Sequence, residues 1–219
     1  MITFAEIKNN PQIRTYIATA DASLRAMGFT EHSFAHACKV AENAKYILQS
    51  LQYDAREIEL AQIAAYLHDI GNLVNRIEHA QSGAVMAFRI LDNLGMDSSD
   101  IAVVVSAIGN HDEGTAFPVN PVAAALILAD KTDVRRSRVR NTDITSFDIH
   151  DRVNYSVQNA TVELDTTSKE ITLCLDIDTT RCPVMDYFEI FLGRMILCRK
   201  AAEKLGLVFR LVINGQNLL

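Results

Sequence analysis

The chain has 219 residues, 49% of them hydrophobic, and a net charge of −6, which is ordinary for a soluble globular protein. The negative charge argues against a general nucleic-acid coat protein. No apolar run approaches the roughly 18 residues that a membrane-spanning helix needs, and residues 1–10 lack the basic start and apolar core of a signal peptide. We therefore expect a cytoplasmic protein of one large domain or two small ones, with its four cysteines as reduced thiols.

Apolar residues recur at intervals of three and four through the first 140 residues, which is the spacing of amphipathic helices. Capping residues mark several helix starts, such as Asp54, the Asp-Ser-Ser-Asp cluster at 97–100, and Pro121 at a first helical position. Gly28 and Gly71 mark helix ends. The predicted helices cover 11–27, 33–51, 54–69, 78–94, the stretch from the 97–100 cluster to 111, and 121–130.

After residue 140 the pattern changes to an alternation of apolar and polar residues, which indicates strands. Residues 160–164 and 171–177 predict a β-hairpin around a turn at 165–169, followed by a long helix over 183–205 and a strand over 207–213. An exposed strand edge here would allow packing on the helices or a homodimer. The expected fold class is α+β: an all-helical domain over 1–140, a connector over 141–155 that begins with a loop at 141–146, and a ββαβ unit over 156–219.

Six side chains that can bind a metal lie at helix ends, on the faces that carry the apolar residues. Burying an unpaired carboxylate or several histidines is costly, so each of these groups needs a partner, and a shared metal centre would supply one to all. Imidazole and carboxylate ligands suit divalent Fe, Mn, Zn, Co or Ni, and Mg²⁺ is also compatible. The predicted ligands are His36, His68, Asp69, His79, His111 and Asp130. His32, one turn before His36, is an alternative first ligand.

Six protein ligands are too many for one ion with open positions, which favours two ions with Asp69 as a bridge. Two ions roughly 3.5–4 Å apart can hold a hydroxide between them and bind two phosphoryl oxygens. Their positive charge would stabilise the transition state of attack on phosphorus. Asp69 is therefore a predicted catalytic residue. If either His79 or His111 is not a ligand, the centre becomes mononuclear.

The order of these ligands, and their local sequences Leu-His-Asp-Ile-Gly at 67–71, Asn-His-Asp-Glu at 110–113 and Leu-Ala-Asp at 128–130, resemble the HD-domain metal-dependent phosphohydrolase superfamily, in its dinuclear subgroup. The resemblance covers about residues 28–140. It implies a phosphatase or phosphodiesterase that acts on a small phosphorylated, nucleotide-like substrate. The Gly-Tyr-Pro signature of the cyclic-dinucleotide phosphodiesterases is missing after His111, so a cyclic di-GMP substrate is not supported.

Cationic and polar residues beside the predicted ligands are candidates for holding the phosphate. Lys131 directly follows the ligand Asp130 and is a predicted catalytic residue. The guanidinium groups of Arg135 and Arg136 could bind phosphate oxygens in a bidentate manner, or the two arginines could equally form a solvated face. Asp133 is predicted either to orient Lys131 or a metal-bound water, or to balance charge locally. The predicted substrate-binding residues are His32, Asn72, Arg135 and Arg136.

The leading interpretation is therefore a divalent-metal-dependent phosphohydrolase. A mixed-valent di-iron oxygenase is an alternative, because some proteins that resemble this superfamily use the same six ligands for oxygen chemistry. A regulatory module that binds a nucleotide without turnover is an alternative of another class. Two bound irons with an oxygen-sensitive spectrum would favour the first alternative, and tight nucleotide binding without hydrolysis would favour the second.

Overall fold

In the computed structural model, which describes residues 1–141, 143 and 147–219, helices come first and a sheet follows, so the predicted α+β class is confirmed. Part of the loop predicted at 141–146 lies outside the described residues. No described helix is long and apolar enough to cross a membrane. The helices are α1 (Phe4–Asn9), α2 (Pro11–Ala26), α3 (Phe34–Ser50), α4 (Ala55–Leu67), α5 (His79–Asn93), α6 (Ser98–Gly109), α7 (Pro121–Lys131), α8 (Ile149–Ser156) and α9 (Val184–Lys204).

Polar side chains cap the helix starts as predicted. Asp54 accepts hydrogen bonds from two backbone N–H groups of α4, and Asn120 caps α7 ahead of Pro121. Helices α1 and α8 were not predicted, and α8 lies largely within the predicted connector over 141–155. In addition, α4 ends at Leu67 and a short 3₁₀ helix follows over Ile70–Leu73. The His-Asp pair at 68–69 therefore lies in the turn between two helices and not within the last turn of α4.

Helix α7 lies at the centre of the helical part and packs against α3, α4 and α6. Every residue from Val122 to Lys131 is buried, and three consecutive alanines at 123–125 allow the neighbouring helices to approach closely. The charged residues Asp130 and Lys131 end this apolar helix. Because a buried charge is stable only with partners, the fold must supply them at the end of α7.

The C-terminal unit, defined as α8 to β4, is a sheet covered by one long helix. Its described strands are β1 (Val157–Asp165), β2 (Glu170–Ile177), β3 (Val208–Ile213) and β4 (Gln216–Asn217), in the spatial order β1-β2-β3-β4. The predicted hairpin is β1-β2, and β3 pairs parallel to β2 after the crossover through α9. Helix α9 buries Phe191, Met195 and Cys198 and also packs on α7. The C-terminal unit therefore lies directly against the helix that carries Asp130.

Candidate metal centre

Three buried histidines share one hydrogen-bonding pattern. In His68, His79 and His111 the Nδ1 atom lies 2.7, 3.1 and 2.6 Å from the backbone carbonyl oxygen three residues earlier in the chain. A carbonyl oxygen can only accept, so Nδ1 carries the proton and Nε2 presents its lone pair. Each ring is thereby fixed in the tautomer that can bind a metal through Nε2.

His36 is held in the same way, but by a carboxylate. Its Nδ1 lies 2.8 Å from Asp133 Oδ2, and both side chains are 1% exposed. Burial opposes ionisation of Asp133, but hydrogen bonds from His36 and Arg135 outweigh it and hold the pKa of Asp133 well below its ordinary value. The geometry favours a role for Asp133 that differs from both predicted ones, which is to orient the ring of His36.

The free nitrogens of His36 and His68 converge on two carboxylates. His36 Nε2 lies 3.2 Å from Asp130 Oδ1 and 3.6 Å from Asp69 Oδ2, and His68 Nε2 lies 3.0 Å from Asp69 Oδ2. Within the described residues, His36 Nε2, His68 Nε2 and Asp69 Oδ2 are buried without a hydrogen-bond partner. Unsatisfied buried polar atoms are costly, and a cation among them would satisfy all three. The donor set therefore fits a divalent ion.

The two oxygens of Asp69 face different histidines. Oδ2 points to the His36 and His68 nitrogens, whereas Oδ1 lies 3.5 Å from His79 Nε2. The His79 and His111 rings are neighbours, with centroids 5.1 Å apart. The possible ligand atoms of His36, His68 and Asp130 all lie within 4.8 Å of one another. The same holds for those of His68, Asp69 and His111. Asp69 thus faces His36 and His68 with one oxygen and His79 with the other.

The charges of this cluster are strongly perturbed. Burial disfavours the charged form of His68, but Asp69 and Asp130 outweigh it and raise its pKa to about 10. Burial and the nearby His68 and Lys131 lower the pKa of His111 to about 3. Despite their burial, Asp69 and Asp130 have pKa values well below the ordinary range, because of the neighbouring His68 and Lys131 respectively. The cluster therefore holds two ionised carboxylates beside a neutral His111 and a His68 that they keep protonated, and a bound cation would take the place of that proton.

A row of alternating charges leads away from Asp130. Lys131 Nζ lies 2.8 Å from Asp130 Oδ2 and 3.4 Å from Glu113 Oε2, and Glu113 Oε1 lies 2.6 Å from Arg194 Nε on α9. Burial opposes the charge of Lys131, but Asp130 and Glu113 raise its pKa. Lys131 is therefore a fixed cation and not a general base. Glu113 and Arg194, which the sequence did not single out, connect it to the C-terminal unit.

The structure distinguishes between His36 and His32, the two candidates for the ligand that comes first in the chain. His36 lies within 3.6 Å of both carboxylates, whereas His32 is one ring away, at a centroid distance of 5.6 Å from His36. The Nδ1 of His32 donates to Thr30 O at 2.7 Å, because that carbonyl can only accept. The geometry thus favours His36 as the ligand and places His32 beside it, facing the cavity.

The other predicted substrate-binding residues have protein partners. Asn72 is 1% exposed and donates from Nδ2 to Asp69 O and Asp69 Oδ1, at 2.9 and 3.0 Å. Arg135 binds Asp133 through two nitrogens, and the exposed Arg136 stacks on Tyr155 at 3.8 Å. Asn72 is positioned to orient Asp69. None of these three residues lines either of the two cavities beside the cluster, which are described next.

Two adjoining cavities open from the cluster. The inner cavity has a volume of about 20 Å³ and is lined by Asp69, His79, His111, Asp130 and Lys131, among others. The outer cavity has a volume of about 260 Å³ and extends between the chain before α3, α8 and α9. The residues that line both are His32, Arg76, Arg138 and Arg194. These four side chains therefore mark the boundary between the inner and outer cavities.

Residues 33–135 match the family model described as the HD domain. These residues form an HD domain. The predicted resemblance to the HD-domain superfamily is thus confirmed over these residues. An uncharacterized protein of Methanocaldococcus jannaschii is 27% identical, with the match covering 73% of this chain and 68% of that protein. The crystal structure of a predicted HD superfamily hydrolase from an uncultured Thermotogales bacterium is 26% identical, with a TM-score of 0.44, and the match covers 61% of this chain and 75% of that one.

Within the HD domain, the match ends at residue 135, before the C-terminal unit begins. Arg76 and Glu113 belong to the domain, and Arg194 lies outside it. The Asp-Glu pair after His111 was a visible signal for Glu113, because it directly follows a ligand. No such signal exists for Arg194, since only the packing of α9 on α7 brings it to the centre.

Proposed function

We propose that the protein is a phosphohydrolase that depends on two divalent metal ions and hydrolyses an ester of a small phosphorylated, nucleotide-like compound. The observation that carries this proposal is the position of Asp69, whose two oxygens face His36 and His68 on one side and His79 on the other. In the proposal His36, His68, Asp69 and Asp130 hold one ion, and Asp69, His79 and His111 hold the other. Bound ions would supply Lewis-acid stabilisation of phosphoryl oxygens and an activated water.

The surrounding residues would prepare the site for this chemistry. Asn72 fixes the carboxylate of Asp69 through the hydrogen bonds at 2.9 and 3.0 Å, and Asp133 fixes the ring of His36. Lys131 is held as a cation between Asp130 and Glu113, where it can bind a phosphate oxygen. His32 lines the boundary of the cavities and can contact the same phosphate. Because Lys131 stays protonated, it would stabilise charge and would not accept a proton.

The proposal is tested by hydrolysis with defined metals. Protein stripped by a chelator and reloaded with Mn, Fe, Co, Ni, Zn or Mg should hydrolyse p-nitrophenyl phosphate or its diester, and elemental analysis of the most active form should give two ions per chain. Absence of turnover with every metal would contradict the proposal. Two irons with an oxygen-sensitive spectrum and no hydrolysis would identify the di-iron oxygenase, and nucleotide binding without hydrolysis would identify the regulatory module.

Replacing Asp133 by asparagine should weaken metal binding about 10–100-fold, the usual effect of losing a partner that orients a ligand. The asparagine cannot hold the His36 ring with a negative charge, so the Nε2 lone pair becomes a weaker ligand. Calorimetric titration of Mn²⁺ into stripped protein measures the change. Asp54→Asn is the control, because it removes a charge but keeps a residue that caps helices equally well. Equal Mn²⁺ affinity in wild type and Asp133→Asn would contradict the assigned role.

A further inference from the structure

Arg194 reaches the metal centre from the C-terminal unit and is held there on two sides. Its Nε lies 2.6 Å from Glu113 Oε1, and its guanidinium carbon lies 4.7 Å from the centre of the Phe191 ring. Phe191 is 1% exposed, so the surface under the arginine is rigid. The ion pair uses Nε, and within the described residues neither terminal nitrogen forms a hydrogen bond or an ion pair. Arg194 therefore presents a fixed pair of donors where it lines both cavities.

Arg76 faces the same boundary from the HD domain. Its guanidinium carbon lies 5.6 Å from the centre of the Phe29 ring, and its Nη1 lies 3.4 Å from Asn72 Oδ1 and 3.5 Å from His79 Nε2. Within the described residues Arg76 forms no ion pair with a carboxylate. A half-buried guanidinium without a counter-charge is unfavourable, and a bound anion would supply that charge. Arg76 thus mirrors Arg194, since each lies over an aromatic ring.

The carboxylates of the inner cavity, Asp69 and Asp130, are proposed metal ligands, so bound ions would engage their charge. Glu113 is shared between Lys131 and Arg194. The third arginine, Arg138, donates to two backbone carbonyls, Glu31 O at 2.9 Å and Asp133 O at 2.8 Å. Several guanidinium groups therefore meet at the entrance to the inner cavity, beside carboxylates that bound metal ions would engage, which favours an anion of high charge density.

The sizes of the cavities restrict how a phosphate ester can enter. The inner cavity of about 20 Å³ is little more than the ~10–15 Å³ that one water requires. It has no room for an organic group beyond the phosphorus. The outer cavity, at about 260 Å³, is at the small end of the roughly 300–1,000 Å³ typical of ligand pockets. A substrate can therefore carry its organic group on the outer side of the phosphorus but not on the inner side as well.

We propose that Arg194 and Arg76 together bind the terminal phosphate of a phosphate monoester, so that the C-terminal unit completes the substrate site of the HD domain. This inference rests on the proposed function and narrows its substrate class. A terminal phosphate offers three non-bridging oxygens and up to two negative charges, which match the two forks and the adjoining cation-binding cluster. A diester offers less charge and would need space for a second organic group.

The outer cavity also limits the organic group. Its walls include the partly exposed Phe29, which can pack on a ring, and at its α8 side Asp148, Asp151 and Asn154. Carboxylate and amide oxygens accept hydrogen bonds from hydroxyl or amino groups. The class of substrate that fits is therefore a small monophosphate whose organic part carries hydroxyl or amino donors, such as a sugar phosphate or a nucleoside monophosphate.

The test compares Arg194→Gln with Arg199→Gln, an exposed arginine on the same helix. In metal-loaded protein, wild type should favour p-nitrophenyl phosphate over bis(p-nitrophenyl) phosphate. Arg194→Gln should lower kcat/KM for the monoester about 10–100-fold, because a hydrogen bond to a charged group contributes about 1.5–3 kcal/mol, and the monoester-to-diester ratio should fall. Arg194→Lys should recover part of the loss through its charge, and Arg199→Gln should behave as wild type. A wild-type preference for the diester, or an unchanged ratio in Arg194→Gln, would overturn the inference.

A binding measurement separates this inference from the proposed function. Calorimetric titration of inorganic phosphate and of ribose 5-phosphate into metal-loaded protein requires no turnover. Weaker binding of both ligands to Arg194→Gln, with the thermal midpoint of wild type, would support the phosphate site even if no ester were hydrolysed. Equal affinities in wild type and in a folded Arg194→Gln would overturn it, whatever the activity.

Discussion

Asp69→Asn is expected to lower kcat for phosphoester hydrolysis by at least about 10²–10³-fold, the loss caused by removing one group that stabilises the transition state. The reason is the placement of its carboxylate, which has one oxygen 3.0 Å from His68 Nε2 and the other 3.5 Å from His79 Nε2. Asparagine keeps the shape of the side chain but loses the charge and offers one acceptor oxygen in place of two. It cannot serve both groups of histidines.

The same variant should bind fewer ions. Elemental analysis of Asp69→Asn should give one ion per chain or less, whereas wild type should give two. The control is Asp176→Asn, which removes an exposed carboxylate on β2 and leaves the centre untouched. Retention of both ions and of wild-type turnover in Asp69→Asn would exclude a bridging role. Retention of both ions with loss of turnover would place Asp69 in the reaction and not in metal binding.

The helical part and its cluster could be predicted because local rules decide them. Apolar residues at intervals of three and four fixed the helical faces, and caps such as Asp54 fixed the starts. A polar residue at a helix end on an apolar face must find a partner, which is why His36 and Asp130 could be named together although 94 residues separate them. The structure brings their side chains to 3.2 Å.

Adjacency in the chain did not predict which arginines line the two cavities. Arg135 and Arg136 follow the ligand Asp130 closely, but the chain turns after α7, and these side chains bind Asp133 and stack on Tyr155. Arg194 is distant in sequence and reaches the cavities because α9 packs on α7. Such placement depends on how two elements pack, and neither spacing nor composition encodes it.

Gly71 lies within the short 3₁₀ helix and does not end α4 as predicted, so another constraint explains the glycine. A Cβ atom at this position would lie 2.0 Å from His79 O, 2.5 Å from Gly83 N and 2.6 Å from Ser82 Oγ. Two of these atoms belong to the backbone of α5 and cannot rotate away. The glycine therefore lets the start of α5, and with it His79, approach the turn that carries Asp69.

Gly71→Ala should consequently be among the most damaging substitutions in the HD domain. Overpacking usually costs about 1–3 kcal/mol, and contact with backbone atoms places this variant at or above about 3 kcal/mol in the free energy of unfolding. Urea denaturation measures that loss. Because α5 must shift to admit the methyl group, His79 should move away from Asp69, so protein that folds at low temperature should bind one ion per chain and have reduced turnover.

Gly193→Ala provides the matched comparison, because a Cβ at this position in the middle of α9 would meet nothing within 4 Å. Alanine there should stabilise the protein by roughly 0.5–1 kcal/mol through its higher helix propensity. The same chemical change thus has opposite expected signs at the two glycines, and the difference isolates the close approach of α5. If Gly71→Ala unfolded at the wild-type urea concentration and bound two ions, His79 would not depend on that approach, and the spacing of the second group of ligands would need another cause.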